Sequence, residues 1–155
     1  MKRIVLMLLF VAGMAGVATA QVDGKALGLR FGNAGEISYL HPLSDVNRIE
    51  LDLGFGPWNQ DALYLNGIYQ WVHDFSSFHP GFNWYYGVGG ALGFLNNYGD
   101  NNVIALTAGL VGNIGIEYNF DFPLQLSLDW RPGLYAIPKV RLGWDGIALS
   151  ARWRF

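Results

Sequence analysis

The chain has 155 residues and a formal net charge of −2; it is 52% hydrophobic and only 14% charged, with 21 Gly and no Cys. That length holds one domain rather than two, and the lack of cysteine excludes a disulfide framework, a thiolate metal site, a cysteine nucleophile and a lipid-modified N-terminal cysteine. The near-neutral balance lacks the clustered cations that a nucleic-acid surface requires, and soluble domains carry about a quarter charged residues, so no nucleic-acid partner is expected and an ordinary soluble domain is a poor fit.

Lys2 and Arg3 precede an apolar run from Ile4 to Val11, and smaller residues lead to Ala18-Thr19-Ala20. A positive start, an apolar middle and an A-x-A site predict a signal peptide over residues 1–20, with Ala18 and Ala20 at the cleavage site. Gly13 and Gly16 interrupt the run, which is short for a spanning helix of about 20 apolar residues. Residues 21–155 are then an exported mature chain. Losing Lys2 and Arg3 from the 10 basic residues leaves 8 against 12 acidic ones, a charge of −4.

Beyond Ala20 no uninterrupted apolar stretch could span as a helix, and the dominant period is two. In chain order, Leu27, Leu29 and Phe31 alternate with Gly28 and Arg30, then Ile37 and Tyr39 with Glu36 and Ser38. Ile49, Leu51, Leu53 and Phe55 oppose Arg48, Glu50, Asp52 and Gly54; Leu63, Leu65, Tyr69 and Trp71 oppose Tyr64, Asn66, Ile68 and Gln70. Residues 82–94 place Phe82, Trp84, Tyr86, Val88, Leu92 and Phe94 on one side. The clearest strand, 104–120, sets Ile104, Leu106, Leu110, Ile114, Ile116, Tyr118 and Phe120 against small or polar residues, with Gly112 as a gap. Leu124 to Trp130 and Ile147 to Phe155 complete eight strands. Asn33-Ala34-Gly35 is a tight turn, residues 42–47, 56–61, 76–81, 96–102 and 121–123 are further turns, and Pro132 to Asp145 is the longest connection, with room for strand extensions.

Successive side chains of a strand face opposite ways. The apolar faces carry no charge within the strand cores, Lys25 and His73 falling at strand ends, while the other faces are too small and too sparsely charged for a solvated exterior. This predicts an inside-out, all-β fold: an eight-stranded antiparallel up-and-down transmembrane barrel, apolar side chains toward lipid and a narrow lumen filled by side chains. Outward Trp71, Phe82, Trp84, Tyr118, Phe120, Trp153 and Phe155 fall at one end, and Phe31, Phe55 and Phe94 at the other, as two interfacial girdles should.

A signal segment, alternating strands and the ending Ala-Arg-Trp-Arg-Phe together resemble Gram-negative outer-membrane β-barrel proteins. Gly115 to Phe120 followed by Leu126 to Pro132 looks like the closing hairpin of small Bacteroides-type barrels. The architectural likeness covers residues 21–155, the specific wording about the last forty. The resemblance implies an outer-membrane location among lipids and lipopolysaccharide, and insertion by the barrel-assembly machinery with Trp153 and Phe155 as its signal. It implies no particular activity.

The inward parity collects Arg30, Arg48, Arg131, Arg152 and Arg154 against Glu36, Glu50, Asp52, Glu117 and Asp129. Turn spacing puts Glu117, Ser127 and Arg152 roughly in one row, with Asp129 reaching Arg131 or Arg154 diagonally. Because guanidinium forks pair well with carboxylates, the expected role of Arg30, Glu50, Asp52, Glu117, Asp129, Arg131, Arg152 and Arg154 is a network that plugs the lumen; a gated ion path or a small polar ligand site is the alternative.

No catalytic role is expected. His73-Asp74 with Ser76, Ser77 and His79 contains the elements of a hydrolytic triad, but polar residues collect in turns and near neighbours in sequence rarely adopt that geometry. No two histidines share a metal-ligand spacing, and the glycines at 87, 89 and 90 lack the following helix of a phosphate loop, so no metal or cofactor is expected. What remains is a monomeric barrel with a structural or interaction role, docking through Asn96–Asn102 and Pro132–Asp145. The alternative is a narrow transport or small-amphiphile-binding barrel, with a lipid-modifying enzyme third.

Overall fold

The computed structural model describes residues 22, 24–56, 62–95, 104–144 and 146–155. The signal segment with Ala18 and Ala20, loop residues 57–61, the Asn96–Asn102 loop and Asp145 lie outside the described residues. Ten β-segments follow one another: β1 (Ala26–Phe31), β2 (Gly35–Pro42), β3 (Asn47–Phe55), β4 (Ala62–Asp74), β5 (Phe82–Leu95), β6 (Ala105–Asn119), β7 (Leu124–Trp130), β8 (Gly133–Ile137), β9 (Arg141–Gly143) and β10 (Ile147–Arg154). Each pairs antiparallel with its neighbour in the order β5-β4-β3-β2-β1-β10-β7-β6, and β5 pairs with β6, so eight staves close a barrel.

The two extra segments lie inside the predicted 132–145 connection. Pro132 has no N–H to donate, so the ladder breaks after Trp130. Beyond the break β8 continues up β6, Leu134 opposite Leu110, and β9 pairs with β8. Backbone bonds from Gly112 N to Pro132 O (2.8 Å) and from Arg131 N to Gly146 O (3.0 Å) bridge the interruption. The last hairpin is thus two kinked staves whose far ends rise above the β1–β2 turn. Past β8, no strand pairs with the other edge of β9 among the described residues.

Closure fixes the stagger. The row through Leu29 passes Ile37, Leu53, Leu65 and Leu92 to Ala108 on β6. Followed the other way it passes Ala151 and Leu126 to Tyr118. Positions 108 and 118 are ten apart on one strand; this offset is the shear that tilts the staves and sets the width of the lumen.

Parity decides which side each residue takes, as the alternation predicts. Leu29, Leu53, Leu92 and Leu128 lie outside, 39–57% exposed, whereas Arg48, Glu50, Asp52 and Arg152 lie inside at 0–2%. The lumen is less dominated by small residues than expected. Ile68, Ala91 and Val111 form one buried apolar cluster within it, and Val72 and Tyr85 another, against which Val22 packs.

The aromatics at the terminal end concentrate on β4, β5 and β6. Trp71 stacks on Tyr86 (5.3 Å) and His73 on Trp84 (4.5 Å), and Phe82, Tyr118, Phe120 and Phe122 contact one another in series. Trp153 and Phe155 are outward and exposed, and the terminal strand is tied in by reciprocal backbone bonds between Lys25 and Phe155.

Candidate functional site: the lumen and its far mouth

Register supplies the short links of the lumen. Arg30 stands opposite Glu36, Arg48 opposite Gln70, and Asn83 opposite Glu117. Each of these neighbours bonds: Arg30 Nη1 to Glu36 Oε1 at 2.9 Å, Arg48 Nε to Gln70 Oε1 at 2.6 Å, Asn83 Nδ2 to Glu117 Oε1 at 3.2 Å.

Long arginine arms then cross the lumen. Arg48 Nη2 reaches Glu117 Oε2 (2.7 Å), joining β3 to β6, and Arg30 Nη2 reaches Asp129 Oδ1 (2.6 Å), joining β1 to β7. Arg152 donates to Glu50 Oε1 (2.6 Å), Ser38 Oγ (2.9 Å) and Ser127 Oγ (2.8 Å), so one fully buried guanidinium ties β10 to three other strands. Arg131 donates to Glu36 Oε2 (3.3 Å) and Glu50 Oε1 (3.2 Å). Its Nη2 also lies 2.8 Å from Asp52 Oδ2, an ion pair by distance whose angles fall short of a hydrogen bond, since neither Asp52 oxygen has a hydrogen-bond partner.

Glu50 is the hub. It accepts from Arg152, Arg131 and Ser38, and Gln70 Nε2 donates to its second oxygen. Gln70 and Asn113 extend the mesh, Gln70 donating to Asn113 Oδ1 and Asn113 to Asp129 Oδ1. A densely connected polar mesh favours one arrangement, because breaking a link in a low dielectric is costly.

Nine of the ten charged residues of inward parity meet inside the barrel, among them seven of the eight assigned to the plug; Arg154 does not join them. Its Nη2 donates to the carbonyls of Phe120 (2.6 Å) and Phe122 (3.2 Å), closing the β6–β7 turn at the barrel end. The buried charges are therefore four arginines, Arg30, Arg48, Arg131 and Arg152, against the five carboxylates of inward parity. The expected row is also corrected by one rung: Ser127 faces Glu117 on one side but Ser150 on the other, and Arg152 sits opposite Gln125. Its long arm still reaches Ser127. The parts that parity reasoning passed over are neutral: Gln70, Asn83 and Asn113 carry bonds, and Tyr85 presents its ring to Arg48 (4.8 Å). Their only signal in sequence was their inward parity.

The triad elements stand apart. The His73 ring lies against the outward rings of Trp84 and Tyr86, and Asp74 accepts from Ser76 N (2.9 Å) and Ser76 Oγ (2.6 Å), an ordinary turn. His79 Nδ1 contacts Pro80 O, and His41 Nδ1 contacts Tyr39 OH. Among the described residues no three His, Asp or Glu side chains gather as metal ligands.

Above the mesh, at the mouth away from the termini, lies a cavity of about 380 Å³. Arg30, Glu36, Tyr64, Arg131, Tyr135 and Arg141 are among its polar and aromatic lining residues. Tyr64 OH donates to Glu36 Oε1 (2.8 Å), and the Arg141 guanidinium lies over the Tyr135 ring (5.0 Å).

No family model matches the chain, and no curated protein matches it. Among solved structures the chain is similar to Neisserial surface protein A (NspA), at 15% identity over 84% of this chain and 93% of that one, with a TM-score of 0.52. At that identity the likeness is one of fold: this chain and NspA share the architecture of a small closed β-barrel.

Proposed function

We propose that this protein is a monomeric outer-membrane β-barrel with a structural or interaction role in the cell envelope, neither an enzyme nor an open pore. Its exterior would face outer-membrane lipid and lipopolysaccharide, its termini the periplasm, and Trp153 and Phe155 would present the signal read by the barrel-assembly machinery. The observation that carries this reading is the crossing of the lumen by Arg48, Arg30, Arg131 and Arg152, each ion-paired to a carboxylate on another strand. Hydrocarbon demands a closed barrel with no open edge at depth and an uncharged exterior, and the apolar rows around this barrel meet the second demand.

Membrane fractionation with a heat-modifiable gel band tests location and barrel together. Planar-bilayer recording tests the plug: the wild type gives no stable ion steps, and discrete steps would replace the structural reading with a transport one. A charge on the outer face checks the orientation. Leu51→Arg, near the middle of β3 and outward, lowers stability in a phospholipid bilayer by about 2–4 kcal/mol, read from urea titration of the folded gel band. An unchanged midpoint would place that face in water.

A second reading, the small-amphiphile-binding barrel, is favoured by the cavity at the far mouth.

A further inference from the structure

Three features meet at β9. First, the polar cavity is lined both by inward residues and by Leu142 and Ile147, whose side chains are outward and about 60% exposed. Asn33 and Ala34 of the β1–β2 turn line it as well. The lining thus includes residues on both sides of the gap between the unpaired edge of β9 and that turn.

Second, an apolar groove of about 640 Å³ lies on that exterior, lined among others by Val88, Leu110, Gly112, Pro132 and Trp144, and Leu142 and Gly143 line it as well as the cavity. Gly112 makes the groove deep: it is an outward residue without a side chain, and a Cβ there would meet only Pro132, at 3.5 and 3.9 Å.

Third, the lining of the cavity includes a cation that stands outside the mesh. Arg141 makes its contact with the Tyr135 ring and has no carboxylate partner among the described residues. Arg30, Arg131 and Glu36 also line the cavity, and they are ion-paired within the mesh. A carboxylate meets an accessible guanidinium with two parallel charge-assisted hydrogen bonds.

We propose that the far mouth binds one single-chain amphiphile with a carboxylate head, the head at Arg141 in the cavity and the alkyl chain passing β9 into the outer groove over Gly112. The arrangement divides the ligand as the solvent is divided, polar end in the lumen and apolar end against lipid. It deepens the amphiphile-binding reading and rests on the exterior facing hydrocarbon.

The test uses the full protein refolded in phosphatidylcholine nanodiscs, with palmitate, octanoate and hexadecanol as probes and binding read by native mass spectrometry. The folded gel band is verified for every variant, so loss of the barrel and loss of binding are separate results. Expected are one saturable palmitate per barrel, at least tenfold weaker hexadecanol binding, and at least tenfold weaker palmitate binding in Arg141→Gln, which alters an exposed side chain. Gly112→Phe fills the groove and weakens palmitate by a similar factor while leaving octanoate unchanged. Palmitate that fails to saturate on a folded barrel, hexadecanol binding as tightly, or indifference to Arg141→Gln overturns the proposal; indifference to Gly112→Phe overturns the route of the chain.

Discussion

Glu50→Ala lowers the folding stability of the barrel by about 3–5 kcal/mol, the cost of breaking a buried ion pair by removing one partner. Glu50 and Arg152 are both fully buried, and Arg152 has no other carboxylate in contact; its remaining acceptors are the hydroxyls of Ser38 and Ser127. Without Glu50 a guanidinium is left in the lumen with two neutral partners, and Gln70 loses an acceptor on the facing strand. Asp52→Asn is the contrasting variant. Asp52 contacts Arg131 alone, and Arg131 keeps Glu36 and Glu50 when Asp52 is neutralised. With five buried carboxylates against four arginines, removing that charge costs far less. Urea titrations of the refolded proteins, scored by the fraction of heat-modifiable band, give both values. Equal losses in the two variants would mean that the mesh does not depend on its hub.

Gly89→Val prevents β4 and β5 from pairing in register, with a loss of at least about 3 kcal/mol or failure to refold. Gly89 is inward, and a Cβ on it would lie 1.9 Å from Gly67 O and 2.7 Å from Ile68 Cα. Both are backbone atoms of the facing strand, so no rotamer change relieves the contact and the two strands must part. Its neighbour Gly90 points outward, where a Cβ would meet nothing nearer than Gly109 O at 3.7 Å. Gly90→Ala therefore stays within about 0.5 kcal/mol of the wild type. Refolding yield into phospholipid vesicles separates the two. A Gly89→Val protein that folds as well as the Gly90→Ala protein would contradict the inward close approach.

How far the site could be read beforehand depends on the distance along the chain. Arg30 and Glu36 flank one tight turn, and parity with turn length is enough to set them opposite each other. Arg48 and Glu117 are 69 residues apart, and Arg152 and Glu50 102 apart; nothing local relates them. Arg154 shows the opposite failure. Its parity is that of Arg152, two residues earlier, yet it lies at the barrel end, where the turn carbonyls of Phe120 and Phe122 are nearer than any carboxylate of the mesh. Parity assigns a side of the wall and says nothing of height.

The β8–β9 hairpin was half legible. Pro132 announces a break, but a three-residue strand such as Arg141–Gly143 carries too few alternations to stand out, and its pairing depends on β8 lying along β6. The side each residue takes, the number of staves and the short turns were written in the sequence, because alternation and turn chemistry act between near neighbours. The ten-residue stagger, the partners met across the lumen, and the open edge of β9 beside the mouth were decided only by closure. Each depends on the accumulated offsets of every hairpin around the ring, and a shift of two residues at any one turn, invisible to parity, would have matched different charges.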